Sequence, residues 1–106
     1  MVELSMPVVW VEGEEPPHAG RLDVTAAGFH LDGGPRTARR TRDVPFADIA
    51  SFRIGRSNGD RVVGRLAIVL ELIAGGRLAF APFDRAGGVH ELVERLQLAG
   101  ARASEA

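Results

Sequence analysis

The stretch RLAIVLELIAGGRLAFAPF, residues 65–83, indicates the fold class of this chain. Apolar residues recur at every second position on both sides of Gly75-Gly76, which is the period of a β-strand, and paired glycines suit a tight turn. The inward face predicted by this spacing consists of Leu66, Ile68, Leu70, Leu72, Leu78 and Phe80. The opposite face is apolar as well, with Ala67, Val69 and Ile73. We therefore expect a hairpin whose first strand is buried on both faces.

The period changes in DRAGGVHELVERLQLAG, residues 84–100. Helical spacing relates its apolar residues, which are Val89, Leu92, Val93 and Leu96. This pattern predicts one amphipathic helix at about residues 84–100. Asp84 is the candidate N-cap, although Gly87-Gly88 weakens the first turn and a start nearer Val89 stays open. Gly100 is placed where a helix commonly ends.

Two earlier stretches predict further strands. GRLDVTAAGFHLDGG, residues 20–34, alternates on both sides of Gly28 and predicts two short strands joined by a tight turn. RRTRDVPFADIASFRI, residues 39–54, predicts one more strand or a bent pair of strands. A kink near Ala47-Asp48 would direct the apolar residues that follow it to the core. Asn58-Gly59 then predicts the tip of the next hairpin, because both residues accept positive φ.

The first strand is predicted in VELSMPVVWVE, residues 2–12. Pro7 interrupts it, and proline is tolerated mainly in edge strands and bulges, so we expect an edge strand. Its apolar residues Val9, Trp10 and Val11 lie on both phases, and an exposed strand of this kind favours pairing with a copy of itself. A symmetric homodimer with these residues in the interface is therefore one prediction.

Composition limits the number of domains, the chemistry and the partners that we expect. The 106 residues suffice for one domain, which we place at residues 1–100, with residues 101–106 as a flexible tail. Cysteine is absent, which excludes disulfides and thiolate chemistry. The formal net charge of -1 offers no basic field for nucleic acid, so we expect no nucleic-acid partner. The first residues lack the basic leader and apolar core of a signal peptide, and we expect a cytoplasmic protein.

The order of elements resembles the pleckstrin-homology-like superfold, especially its small bacterial and GRAM-like members. The stretches that carry the resemblance are GRLDVTAAGFHL (residues 20–31), VPFADIASFRI (residues 44–54) and LAFAPFDRAGGVHELVERL (residues 78–96). The helix lacks the tryptophan of eukaryotic relatives, and Trp10 lies in the first strand instead, which favours the GRAM-like or bacterial branch. The resemblance implies a mainly β fold, a split barrel or sandwich of about seven antiparallel strands capped by the helix. Members of the superfold bind lipids, peptides or proteins, so fold alone does not assign a function.

A cluster of arginines is the first candidate site. It consists of Arg36, Arg39, Arg40 and Arg42. The resemblance implies that these residues follow the third strand at the open end of the barrel, where relatives that bind phosphoinositides hold the headgroup. The neighbouring loop is acidic, however, with Glu12, Glu14 and Glu15. Two interpretations stay open, an anion-binding site and internal pairing of the arginines with this acidic loop, and we favour the pairing.

The sequence contains no residue pattern that is typical of a catalytic site. The histidines His18, His30 and His90 have no metal-ligand spacing. The serines Ser5, Ser51 and Ser57 lack a nucleophile elbow and an assignable base. We therefore expect no enzyme activity, no cofactor and no metal. The leading hypothesis is a noncatalytic module that binds a protein or peptide segment, and the alternative is weak binding to anionic lipid at the inner face of the membrane.

Overall fold

The computed structural model describes residues 2–55, 57, 59–83 and 86–100, without the side chains of residues 36, 86 and 87. These residues form seven strands and one helix: β1 (Val2–Glu12), β2 (His18–Thr25), β3 (Gly28–Gly33), β4 (Arg40–Pro45), β5 (Ile49–Gly55), β6 (Ala67–Leu72), β7 (Arg77–Pro82) and α1 (Ala86–Leu98). Single 3-10 turns, Arg36–Ala38 and Phe46–Asp48, precede β4 and β5. The predicted mainly β fold, with about seven antiparallel strands and a C-terminal helix, is confirmed.

The strands form one antiparallel sheet in the order β4-β3-β2-β1-β7-β6-β5, which curls into a half-barrel. Neighbours in the sheet are neighbours in the chain except at the β1–β7 pair. The predicted kink at Ala47-Asp48 is the 3-10 turn Phe46–Asp48, where the chain leaves β4 and enters β5. Because these two strands stand at the ends of the order, the half-barrel stays open between them.

The prediction that the first strand is an edge strand is wrong. β1 stands in the middle of the sheet, paired with β2 from Val2 to Trp10 and with β7 from Val8 to Glu12. Pro7 lies one residue before the β7 ladder begins, in the half of β1 that has a strand on one side only, where a missing N–H is tolerated. The proline therefore marks where the second ladder starts rather than an edge of the sheet.

The concave face of the half-barrel holds the main core. The predicted inward residues Ile68, Leu70, Leu78 and Phe80 are fully buried there, and Leu66 and Leu72 pack partly buried against them. The apolar face of α1 closes this core with Val89, Leu92 and Leu96. Burial of each such side chain contributes about 1.5 to 3 kcal/mol before entropy costs. The helix is thus part of the core.

A second, smaller core lies on the convex face of β1, β6 and β7. It comprises Val9, Val62, Ala67, Val69, Ala79 and Ala81. The predicted burial of β6 on both faces is confirmed for Ala67 and Val69. Ile73, predicted to share that burial, is instead 68% exposed, because β6 ends one residue earlier and Ile73 lies in the turn to β7.

The connection between β5 and β6 covers this convex core. We call residues 57 and 59–65 the strap. The N–H groups of Asp60 and Arg61 donate to the carbonyl of Ser57 at 3.0 and 3.1 Å, so the chain turns at the predicted position. A second turn, from Val62 to Arg65, then delays the start of β6. The predicted hairpin is present, because β5 and β6 pair as antiparallel neighbours, and their connection is a long loop that folds back over the sheet. Asn58 of the predicted tip lies outside the described residues.

The bounds of α1 agree with the predicted helix. Asp84, the predicted N-cap, lies outside the described residues. Gly100 has φ +83 and its N–H donates to the carbonyl of Gln97 at 3.0 Å, which ends the helix as expected. Arg95 ties the helix to β1 through an ion pair with Glu3 at 2.7 Å. In the described part of the chain, no helix is long and apolar enough to cross a membrane.

Candidate functional site

Ion pairs connect the acidic loop after β1 with the arginines around the start of β4. Arg42 Nε donates to Glu12 Oε2 at 2.9 Å, and Arg40 Nη1 donates to Glu15 Oε1. Arg39 Nη2 donates to Asp32 Oδ1 at 2.9 Å. We call this end of the half-barrel the mouth, formed by Glu12, Glu15, Asp32, Arg39, Arg40 and Arg42. The predicted pairing of the two segments is confirmed.

The register of the sheet positions these side chains. Arg42 is opposite Leu31, which is fully buried on the concave face, and directly opposed residues of paired strands point to the same face. Glu12 follows Trp10 by two positions and shares its face by strand alternation. Arg42 and Glu12 therefore meet on the concave side, with 36% and 29% of their side-chain surfaces exposed.

Trp10 stands beside the mouth and is 1% exposed. Its indole Nε1 donates to the carbonyl of Asp32 at 2.9 Å, and its ring lies 5.4 Å from the ring of His18, centroid to centroid. A Cβ added to Gly33 would lie 2.8 Å from Nε1, so glycine is what lets the indole approach the backbone. His18 Nε2 is buried without a hydrogen-bond partner among the described atoms.

Two ion pairs of the chain, Glu15–Arg40 and Asp60–Arg53, shift the pKa values of their members toward the charged forms. The hydrogen bond from Arg40 lowers the pKa of Glu15, and the same bond raises the pKa of Arg40. On the convex side, the hydrogen bond from Arg53 lowers the pKa of Asp60. A general acid or base needs a pKa near the working pH, and these shifts move the groups away from it. The clusters suit charge pairing and recognition better than proton transfer.

A groove runs along the open side of the half-barrel, between β4 and the β6–β7 turn. Its volume is about 400 Å³, and it is lined by Arg42, Val44, Ala47, Asp48, Leu72, Ile73, Ala74 and Gly75. We call this groove, together with the facing edges of β4 and β5, the seam. Arg42 belongs to both the mouth and the seam. No sequence pattern indicates the seam, because a strand carries no local sign of whether both its edges are paired.

The other predicted site residues are separated by the structure. Arg36 begins the 3-10 turn before β4, and its side chain lies outside the described part. Trp10 points into the concave core, whereas Val9 and Val11 belong to the convex core. Both edges of β1 are paired in this region, so the strand edge expected to meet a second copy is already occupied by β2 and β7.

Comparisons with known proteins bear on the fold alone. No protein-family model matches the chain, and no curated protein matches it. Among solved structures, it is similar to the crystal structure of the C-terminal domain of an unknown protein from Leishmania infantum, with 15% sequence identity and a TM-score of 0.69. The match covers 92% of this chain and 84% of that one. The two chains share a curled antiparallel sheet with a C-terminal helix.

Proposed function

We propose that this chain is a noncatalytic module that binds an extended segment of another protein along the seam. One observation carries the proposal: among the described strands, β4 and β5 each have a partner on one side only, and a groove of about 400 Å³ opens beside β4 and the 3-10 turn that leads into β5. An unpaired strand edge offers a row of backbone donors and acceptors to a peptide that adds as a further strand. Such binding depends mainly on backbone hydrogen bonds and requires few specific side chains of the module.

The edge of β5 is the better template for this addition. β4 carries Arg40, Arg42 and Asp43 within six residues, and charges on an edge strand discourage strand addition. β5 carries only Arg53, whose guanidinium is held by Glu71 at 2.9 Å and Asp60 at 3.1 Å. The β5–β6 register shifts between Ile49 and Ser51, so the regular edge available to a guest strand extends from Ser51 to Gly55.

The groove at the start of β5 offers a place for an apolar side chain of the guest. Ile73 is 68% exposed at its rim, and the partly buried Leu72 lies beside it. An apolar anchor in a pocket, flanked by backbone hydrogen bonds, is how strand-adding peptides are selected. We therefore expect the guest to be an extended segment with at least one large apolar residue.

We also infer that the fold is related to the pleckstrin-homology-like superfold and its GRAM-like branch. The sheet order and the C-terminal helix packed into the concave core support this relation. We retain the cytoplasmic location expected from the sequence as part of the proposal. The proposal also includes self-association, but through the β5 edge, since a second copy could supply the missing strand there.

Selection from a displayed library of random peptides tests the proposal. We expect selected peptides to shift the backbone amide signals of β5 and of residues 72–75 in heteronuclear spectra. Ile73→Asp should weaken their binding at least tenfold by placing a charge at the apolar rim. Leu98→Asp is the matched control, because Leu98 is also exposed and lies at the end of α1. Shifts that avoid the seam, or equal effects of the two variants, would contradict the proposal.

A further inference from the structure

The tip of the strap presents apolar side chains to solvent. Val63 is 67% exposed and Phe83, which precedes α1, is 38% exposed. A Cβ added to Gly59 or Gly64 would meet no atom within 4 Å, so a side chain at either position would point into solvent. Arg65 connects the strap to Phe83, because its guanidinium lies 5.0 Å from the centre of the Phe83 ring.

The backbone conformation at position 63 is unfavourable for a valine. Its φ is +50, a left-handed conformation that β-branched residues rarely adopt. Glycine or asparagine would adopt it at lower cost, and the exposed side chain recovers little by packing. Valine at this position is therefore unfavourable for the folded chain both in conformation and in solvation. Contact between this side chain and a molecule outside the chain would explain why valine occupies the position.

Arg65 differs from most other arginines of this protein in its partners. Seven described arginines form ion pairs with carboxylates: Arg21, Arg39, Arg40, Arg42, Arg53, Arg77 and Arg95. Arg65 instead donates to the carbonyl of Phe83 at 3.2 Å and lies over its ring, with no carboxylate within ion-pair distance among the described residues. Within the described part of the chain, its positive charge has no acidic partner and lies beside exposed apolar groups.

We propose that this tip, formed by Val63, Arg65 and Phe83, docks on an anionic membrane surface. An apolar side chain that enters the interface beside an arginine that meets lipid phosphates is the arrangement that peripheral membrane contact requires. A protein partner would need roughly 800 Å² of complementary surface, whereas the tip consists of three side chains. A bilayer requires no shape complementarity, so a patch of this size suffices for weak, reversible contact.

This site differs from the arginine cluster that the sequence analysis considered for lipid. Three of those arginines, Arg39, Arg40 and Arg42, are neutralised by carboxylates of the mouth. The tip also lies outside the seam, so the inference goes beyond the proposed function and does not rest on it. A chain could bind a protein segment at the seam and meet a membrane at the strap.

Cosedimentation with vesicles tests the inference on the full chain. The probes are vesicles of phosphatidylcholine alone and of phosphatidylcholine mixed with phosphatidylserine, each at low and at physiological salt. We expect binding only to the mixed vesicles and a decrease with salt. Arg65→Gln should weaken that binding about fivefold, the equivalent of about 1 kcal/mol per arginine at an anionic surface.

Val63→Asn separates a membrane role from a structural one. Asparagine tolerates positive φ, so the variant should melt at a higher temperature than the parent chain, yet bind mixed vesicles about tenfold less tightly. Leu98→Asn is the matched control, an exposed apolar residue outside the tip and the seam, and should leave vesicle binding unchanged. Absent binding by the parent chain, unchanged binding of Val63→Asn, or loss of binding only in Arg39→Gln and Arg40→Gln would each overturn the inference.

Discussion

At the scale of single residues, two glycines let β2 and β3 approach each other and Trp10. Gly20 is opposite Gly33, and a Cβ added to Gly20 would lie 1.8 Å from the carbonyl oxygen of Asp32. That oxygen also accepts the hydrogen bond of the Trp10 indole. A methyl group at Gly20 therefore has to move backbone, since the atom in its way is not the end of a flexible side chain.

We accordingly expect Gly20→Ala to destabilise the fold by about 3 kcal/mol, in the upper range for overpacking. Gly59→Ala is the matched control, because a Cβ there would meet no atom within 4 Å. Chemical denaturation of both variants measures the difference. Equal free energies of unfolding for the two variants would show that β2 and β3 separate readily, contrary to the tight approach at Asp32.

Sequence patterns described most single residues of the strands and the helix correctly and misplaced a few. Alternation identified Ile68 and Phe80 as core because strand geometry alone sends every second side chain to one face. The same alternation made Ile73 a core residue, but the strand had already ended there. Pro7 was read as an edge signal, although one strand can be central over part of its length and an edge over the rest.

At the scale of elements, α1 and the acidic loop after β1 close the half-barrel in different ways. The helix contributes apolar side chains to the concave core, among which Leu92 is fully buried. The acidic loop contributes carboxylates to the mouth, where Glu12 and Glu15 hold two arginines. Loss of the apolar side chains of α1 should therefore lower the stability of the fold. Loss of the carboxylates of the acidic loop should instead change ligand binding.

Leu92→Ala should lower the free energy of unfolding by about 2 to 5 kcal/mol, the usual range when a buried leucine leaves a cavity. Leu98→Ala, a residue that is 83% exposed on the same helix, should change it by less than about 0.5 kcal/mol. Denaturant titration followed by the fluorescence of Trp10 is suitable, because this is the only tryptophan of the chain. A small effect of Leu92→Ala would mean that the core does not depend on the helix.

Replacement of both Glu12 and Glu15 by glutamine should unmask anion binding at the mouth. The change frees Arg40 and Arg42 from their carboxylate partners, and guanidinium groups bind phosphate well when uncompensated. We expect inorganic phosphate to shift the Nε–Hε signals of these arginines in the double variant but not in the parent chain. The melting temperature should change little, since exposed ion pairs contribute little stability.

Glu14→Gln is the control for this experiment. Glu14 lies in the same loop and loses the same charge, but it makes no ion pair among the described contacts. Phosphate binding by Glu14→Gln as tight as by the double variant would show that net charge, rather than release of the arginines, is responsible.

At the scale of the whole molecule, ion pairs join segments that lie far apart in the sequence. Glu15 pairs with Arg40 across the mouth, and Asp60 of the strap pairs with Arg53 of β5. These bonds hold the pKa of each carboxyl below its ordinary value in the folded chain. Their stabilisation is therefore fully present above the ordinary carboxylate pKa and is lost as the pH falls through the lower, folded-state value.

The melting temperature should consequently be level near neutral pH and should fall below about pH 5, as unfolded carboxyl groups begin to bind protons. Asp60→Asn should lower the melting temperature at neutral pH and reduce its dependence on acid, because the variant has already lost that pair. Scanning calorimetry across this range measures both effects. A melting temperature that rises on acidification would contradict the assigned pKa directions.

Local sequence patterns suffice to predict which stretches are strands, where the helix lies, which face of each is apolar, and that Gly75-Gly76 turns the chain. These properties follow from local backbone geometry, which a few neighbouring residues express. The opposite charges of the acidic loop and the arginines were also visible in the sequence, and the order of the first four strands brings them together. Only the tertiary structure decided that β1 is central, that the seam lies between β4 and β5, and that the strap covers the convex face. Each of these depends on which strands become neighbours, and the β1–β7 ladder joins residues such as Trp10 and Phe80, which no local pattern connects.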